Sequence, residues 1–464
     1  MKKKVLIGLL VIFIILLAGL IGFGIYLNMN FSTMIFEKGL DKLYSISNSV
    51  LSNGNTINYE NQIVSMENNL TYTMPEDVKT LTGLNLYTIS VKYNMVIDNK
   101  NKKMLNSISY LEDNKEFINA DLLYNNDKYS YIDLKDIFSK VLKVSLDEET
   151  NNSINELFDS MIDSQKTIKD TDRLMYLTKE IIKKNLNKND IVKKDISVTI
   201  DEKEHKLTEY CYQLENEKLY NFIVSILTEM EKNSEITTIL KETYNMEEVN
   251  LVESFKEEVD SDLQEKLYIS LYVSGKFDIV GFSINEVTKY TEAVIKYINV
   301  NNSYLCELNN GIDIQMVIEG SKENNAINLN VVNNDTERGT ITVTENNGEY
   351  TIVLDDTAVG DVFTIKYKYE KVSDKENKLN LELGIMSAGK SMGILKYTLN
   401  TKVVDKLDEF DYSNAIDVNS LSEEQTLELQ TNLQQKLSES VLFNLLITLG
   451  SYNQLDTGYY GSMY

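Results

Sequence analysis

From Leu267 to Asn400 the chain alternates apolar and polar residues with few interruptions, in runs such as LYISLYV, FDIVGFSI, AVIKYINV, YLCEL, IDIQMVI, AINLNVV, TITVTE, YTIVLDD, FTIKYKYE, LNLELGI and ILKYTLN. A period of two sends successive side chains to opposite faces, which a strand tolerates and a helix does not. Turns containing Asn or Gly separate most of the runs. Regular short strands of this kind predict one large antiparallel sheet that curls into an open or half barrel.

The remainder is mixed. Phe31 to Leu51 has apolar residues at helical spacing and predicts a stalk helix, broken at Asn53-Gly54-Asn55. Period two then continues to about Asp133, with Asn/Asp turns at 98–103 and 125–127, as an antiparallel meander. Leu134–Val144 reads as a short amphipathic helix, and Thr171–Leu186 as a helix facing the core through Leu174, Leu177, Ile181 and Ile182. Two strands (Val192–Ile200 and Lys206–Leu214) precede a helix over Glu215–Glu231, whose Leu219, Phe222, Ile223, Ile226, Leu227 and Met230 form the clearest apolar stripe of the chain. Ser422 with Gln425 is a capping box that opens a last helix, expected to run through Leu446 to Gly450.

At the N-terminus Lys2, Lys3 and Lys4 precede an uncharged run from Val5 to Leu27. At 1.5 Å per residue that run spans roughly 34 Å, enough to cross a hydrocarbon core of about 30 Å. A cleaved signal peptide would have a shorter apolar region ending in small residues, which Asn28-Met29-Asn30 does not supply. The lysines before the run and the acidic chain after it place the N-terminus in the cytoplasm and the bulk outside the cell. Ala18 and Gly22 are spaced for helix dimerisation, a weak signal.

The expected class is therefore α+β: an N-terminal transmembrane helix followed by large, curled, half-barrel-like antiparallel sheet(s) with packed helices. The organisation reads as a stub and membrane anchor over 1–30, a stalk helix over 31–55, a strand–helix extracellular domain over 56–262, an antiparallel sheet domain over 263–410, a C-terminal helix over 411–450 and a flexible tail over 451–464.

A hydrophobic fraction of 42% with 25% charged residues is ordinary for a folded chain. The net charge of -25 argues against nucleic acid, whose phosphates require basic patches. Only Arg173 and Arg338 offer the forked donor suited to phosphate. One histidine, one proline and no tryptophan stand beside many Asn, Lys, Ile and Tyr, residues with AT-rich codons, which points to a low-GC bacterium. Cys211 and Cys306 are consistent with an extracellular disulfide or with two buried thiols.

Candidate chemistry fails on context. Gly384–Ser391 (GIMSAGKS) matches a phosphate loop literally, but the loop needs a parallel strand before it and a helix after it. Here alternating strands flank it, so a hairpin with Ala388-Gly389-Lys390 at its turn is expected, and no nucleotide. His205, the sole histidine, lies in a charged segment read as an exposed turn, and Cys211 lies in an alternating strand. Asp355-Asp356 and Asp260-Asp262 are acidic pairs without calcium-loop spacing. No catalytic, cofactor-binding or metal residue is assigned.

The anchor, the strand-rich half and the segments NDKYSYIDLKDIFSKVL (Asn126–Leu142) and DYSNAIDVNSLSEEQ (Asp411–Gln425) together resemble uncharacterised membrane-anchored exported proteins of low-GC Gram-positive bacteria. More distantly, a curled antiparallel sheet with helices against it is similar to lipoprotein-carrier half barrels, and that resemblance implies an acyl chain in an apolar hollow. The expectation is a non-catalytic extracellular binding or scaffold protein on a single-pass anchor, holding a lipid or other apolar ligand in the curled sheet. The alternative is a cell-envelope protein that contacts a protein partner. An extracellular hydrolase using paired carboxylates is a third reading. A filled core with an exposed apolar patch would favour the second.

Overall fold

The computed structural model describes residues 36–38, 40–41, 44 and 57, and then 60–444 apart from 77–78, 81–85, 126–127, 245, 260–264, 276–277, 289–290, 314 and 335. The apolar run over 5–27, the end of the last expected helix over 445–450 and the tail over 451–464 lie outside these residues. Among the described residues no helix is long and apolar enough to cross a membrane. Strand is the commonest element, almost all of it antiparallel, in a large sheet that is not closed. Two compact units divide the chain: a split unit of 56–163, 346–352 and 360 onward, and a central unit of 164–345 and 353–359 with the described residues up to 55.

The split unit contains β1 (Ile63–Thr73), β2 (Thr88–Asp98), β3 (Lys103–Glu112), β4 (Lys115–Tyr124), β5 (Tyr129–Asp133) and β6 (Leu142–Ser145). From the far end of the chain it takes β17 (Asp361–Ser373), β18 (Glu376–Ser387), β19 (Lys390–Val404) and β20 (Ile416–Asp417). Their order is β20-β6-β5-β4-β3-β2-β1-β19-β18-β17, antiparallel throughout except for β20 beside β6. β1 joins the two sequence blocks, since Ile63 stands opposite both Asp98 and Val404.

Each face of this sheet is covered only in part. On one face Ile97, Met104 and Tyr124 pack against Phe158 of helix α1 (Glu148–Asn185). On the other, Leu105, Leu123 and Tyr131 lie under Leu407, Phe410 and Ala415. Helix α5 (Glu423–Glu439) starts with the expected capping box, in which Gln425 N donates to Ser422 Oγ at 3.2 Å and Ser422 N donates to Gln425 Oε1 at 3.0 Å. It ends at Glu439, short of the expected Leu446, and a separate helical turn occupies 441–444.

The central unit orders β7 (Ile191–Ile200), β8 (Lys203–Glu215), β9 (Lys266–Val273), β10 (Ile279–Val287), β11 (Glu292–Val300), β12 (Ser303–Asn309), β13 (Gln315–Glu323), β14 (Ala326–Asn333) and β15 (Thr336–Asn346) as an antiparallel meander. Helices α2 (Glu217–Lys232), α3 (Ser234–Glu242) and α4 (Leu251–Glu258) cover one face of it. There Tyr210, Leu271 and Phe282 line up across β8–β10, as do Tyr212, Ile269 and Ile284, and the α2 stripe of Leu219, Phe222, Ile226 and Met230 is buried in the same cluster. Phe36 and Leu40 are helical and buried in that cluster with Leu174 and Ile181, and the Asp41 carboxylate accepts from Lys179 Nζ at 2.9 Å and Lys183 Nζ at 2.5 Å. On the other face the meander curls until β7 meets β12. The concave space is filled by Ile200, Leu207, Tyr272, Ile298, Val300 and Leu305.

Two local readings are corrected. Leu134–Val144 is not a helix: Lys135 adopts a φ of +33°, its amide donates to Asp133 Oδ1 at 3.0 Å, and β6 begins at Leu142. The spacing of Ile137, Phe138, Val141 and Leu142 mimics a helix because an irregular turn buries all four. The helix expected from Thr171 belongs to α1, which already starts at Glu148, in a polar stretch whose apolar contacts include Ile154, Phe158 and Met161.

Burial changes sharply along the chain. No hydrophobic side chain described after Leu305 is buried, although β13–β19 follow it. These strands hold together by ladders and half-covered side chains, which leaves sheet faces open to solvent.

Candidate functional site

The sequence candidates are dispersed by the fold. Gly384–Ser387 close β18, Lys390-Ser391 open β19, and Ala388-Gly389 make the expected hairpin turn with φ of +49° and +75°. Two consecutive left-handed residues match the twist of a tight hairpin, and no helix follows to cradle phosphates. Asp356 ends β16 (Glu349–Asp356), and its carboxylate accepts from Ala358 N at 2.9 Å to close the next turn. Asp260 and Asp262 lie outside the described residues. Among the described residues no group of three His, Cys, Asp or Glu could hold a metal ion.

His205 is not in an exposed turn. It lies in β8 opposite Val198, 9% exposed, with its Nε2 unpartnered. The sequence signal misleads because Glu202, Glu204 and Lys206 are polar neighbours of a strand whose alternate residues turn inward. Cys211 stands opposite Ser270 and Cys306 opposite Tyr297, and register carries those partners to opposite faces of the meander, four strands apart. Both are free thiols, and burial pushes both upward, away from a nucleophilic thiolate.

The feature that stands out is a sheet face in the split unit. Register places Tyr367, Leu381, Tyr397, Leu70, Val91 and Tyr110 in one row across β17-β18-β19-β1-β2-β3. The neighbouring row reads Tyr369, Leu379, Leu399, Asn68, Tyr93 and Ile108. Phe158 of α1 caps one end of this face, and the turn at 440–444 caps the other. Between them Leu70, Val91 and Ile108 are 42%, 39% and 43% exposed. Solvent-exposed apolar rows of this extent mark an interaction surface.

The aromatic rings are held in place by their own hydroxyls. Tyr93 donates to Asn106 Oδ1 at 2.8 Å, Tyr397 to Asn68 Oδ1 at 2.7 Å and Tyr72 to the Met392 carbonyl at 2.8 Å. Tyr110 donates to Glu112 Oε1 at 2.7 Å. Glu112, 3% exposed, also accepts from Ser440 Oγ at 2.6 Å, Val441 N at 2.8 Å and Leu442 N at 3.0 Å. Burial alone would raise this carboxyl, but those donors together hold it below the usual range. The face is thus a pre-set surface of tethered rings and aliphatics, suited to holding another surface and lacking an activated group. Sequence reading missed these residues because apolar alternation is read as core. The signal was present: more alternating strands than the helices could cover.

No protein-family model matches the chain, and no curated protein matches it. Among solved structures, a similarity is found to the transferrin binding protein B mutant Trp-176-Ala, a vaccine antigen from Haemophilus parasuis Hp5, at 7% identity over 74% of this chain and 76% of that one. The TM-score is 0.12.

Proposed function

We propose that this chain is a non-catalytic binding or scaffold protein, held at the cell surface by one N-terminal membrane helix, that docks a protein partner on the tyrosine-rich face of its split unit. The carrying observation is the uncovered apolar face around Leu70, Val91 and Ile108. Six strands at about 4.8 Å make it roughly 24 Å wide, the scale of a protein footprint and larger than one acyl chain needs. Tethered tyrosines lose little entropy on docking, which suits them to interfaces. A swallowed lipid has less support, since side chains fill the curl of the central unit. The net charge of -25 makes copies of the chain repel, which favours a different protein as the partner. Support for the anchor is the uncharged run Val5–Leu27 behind three lysines.

Photo-crosslinking on intact cells tests this reading. With the crosslinker at Ile108 of the full-length chain, a protein adduct of one discrete mass is expected. It should vanish when Leu70→Asp and Val91→Asp are added, and should not form from the exposed Leu427 on α5. The same adduct from both positions, or none from Ile108, would remove the face from consideration. External protease should digest the folded part on the same cells.

A further inference from the structure

The reverse face of the same six strands is built from other chemistry. One row across β18-β19-β1-β2-β3 is Lys378, Asn400, Glu67, Asn94 and Ser107. The next is Asn380, Thr398, Asn69, Lys92 and Ser109. All ten side chains are polar, and they line a trough of about 560 Å³. Toward β4 the face becomes apolar at Leu105 and Leu123, where Leu407 and Phe410 cover it. Within these two rows polarity follows exposure, while in the rows of the tyrosine-rich side it does not.

Three properties set the trough apart from an ordinary wet sheet face. Its four carboxamides each carry a donor and an acceptor, and facing residues on adjacent strands lie about 5 Å apart, a spacing that suits the neighbouring hydroxyls of a sugar ring. Asn400 donates to Glu67 Oε2 at 3.3 Å and its Oδ1 is shut off from solvent, so this amide braces the floor of the trough. Its other charges pair off and leave one lysine: Lys402 Nζ neutralises Glu67 at 2.5 Å, Lys378 lies 3.3 Å from Glu376, and Lys92 is exposed with no ion pair among the described residues. On a chain of net charge -25, an exposed lysine without an ion pair beside two amide rows is a local exception.

We propose that this trough is a binding site for an anionic saccharide, with Asn69, Asn94 and Asn380 taking the hydroxyls and Lys92 the acidic group. A lone inorganic anion would use Lys92 and leave the amide rows idle, and a neutral sugar would leave Lys92 idle. The site is independent of the partner-docking face, which lies on the other side of the strands.

The test is an array of neutral and acidic glycans probed with the full-length chain in detergent, followed by affinity measurement on the retained glycans, with inorganic phosphate as competitor. Retention of acidic members alone is expected. Lys92→Glu, an exposed position, should weaken them tenfold or more. Asn94→Ala and Asn380→Ala should each cost about threefold to tenfold, the worth of one hydrogen bond. Circular dichroism unchanged in these variants would separate lost binding from lost fold, and Leu70→Asp with Val91→Asp should leave glycan binding intact. Equal retention of neutral glycans, full competition by millimolar phosphate, no retained glycan, or affinities indifferent to Lys92→Glu would each overturn the proposal.

Discussion

At the scale of single residues, Glu112 ties several segments together. It accepts four donors, from Tyr110, Ser440, Val441 and Leu442, while nearly buried. Glu112→Gln keeps one acceptor oxygen but sets an NH2 donor against a backbone N–H at the other position, Val441 N where Oε2 is replaced, so it should cost about 1–3 kcal/mol. The sign of the pH dependence comes from the direction of the shift. A carboxyl held below its unfolded value of about 4.3 contributes stability that is present above that pH and is lost as pH falls through the folded pKa. Hydrogen exchange at Val441 and Leu442 should therefore accelerate below about pH 4 in the parent, and should already be fast at pH 7 in Glu112→Gln, without an acid step. Nothing in the sequence marks this role, because Glu112 and Ser440 are brought together from 328 positions apart. His205 fails for the same reason: its burial is decided by the curl of β7 and β8 and not by its charged neighbours.

Among elements, legibility tracked how much of a signal is local. The α2 stripe and the α5 capping box depend on residues within a few turns, and both stand where the spacing put them. The first half of α1 was invisible because most of its residues face water, and 134–144 was misread because a buried turn borrowed helical spacing. Helix α5 is weakly docked. It buries none of its residues and is tied down by contacts such as Asn432 Nδ2 to the Ile137 carbonyl at 2.9 Å. A 17-residue helix in that state is marginal by itself, so its cap matters. Ser422→Ala should cost about 1 kcal/mol of helix stability. Amide exchange in 423–427 should rise about fivefold, with β1–β4 unaffected.

For the whole molecule, alternation reveals that strands exist but not which strands meet. The pairing of β1 with β19 runs from Ile63↔Val404 to Thr73↔Ile394, and no local pattern announces it. It decides the geometry of both faces, since both rows of the tyrosine-rich face and both rows of the polar trough pass through this seam. Gly393 is where the seam is least tolerant. It sits at a φ of +109°, and a Cβ there would fall 2.5 Å from Tyr72 Cε2 and 2.8 Å from the Thr73 carbonyl. Gly393→Ala should therefore cost about 1–3 kcal/mol from backbone conformation alone, and more from the collision with β1. The loss should be shared by segments distant in sequence. Hydrogen exchange should show protection falling together in 63–73 and 390–404, whereas a substitution felt only locally would loosen 390–404 and leave 63–73 protected. Because the two faces share those strands, the same variant should weaken partner docking and saccharide binding in one step, which Leu70→Asp or Lys92→Glu alone should not do.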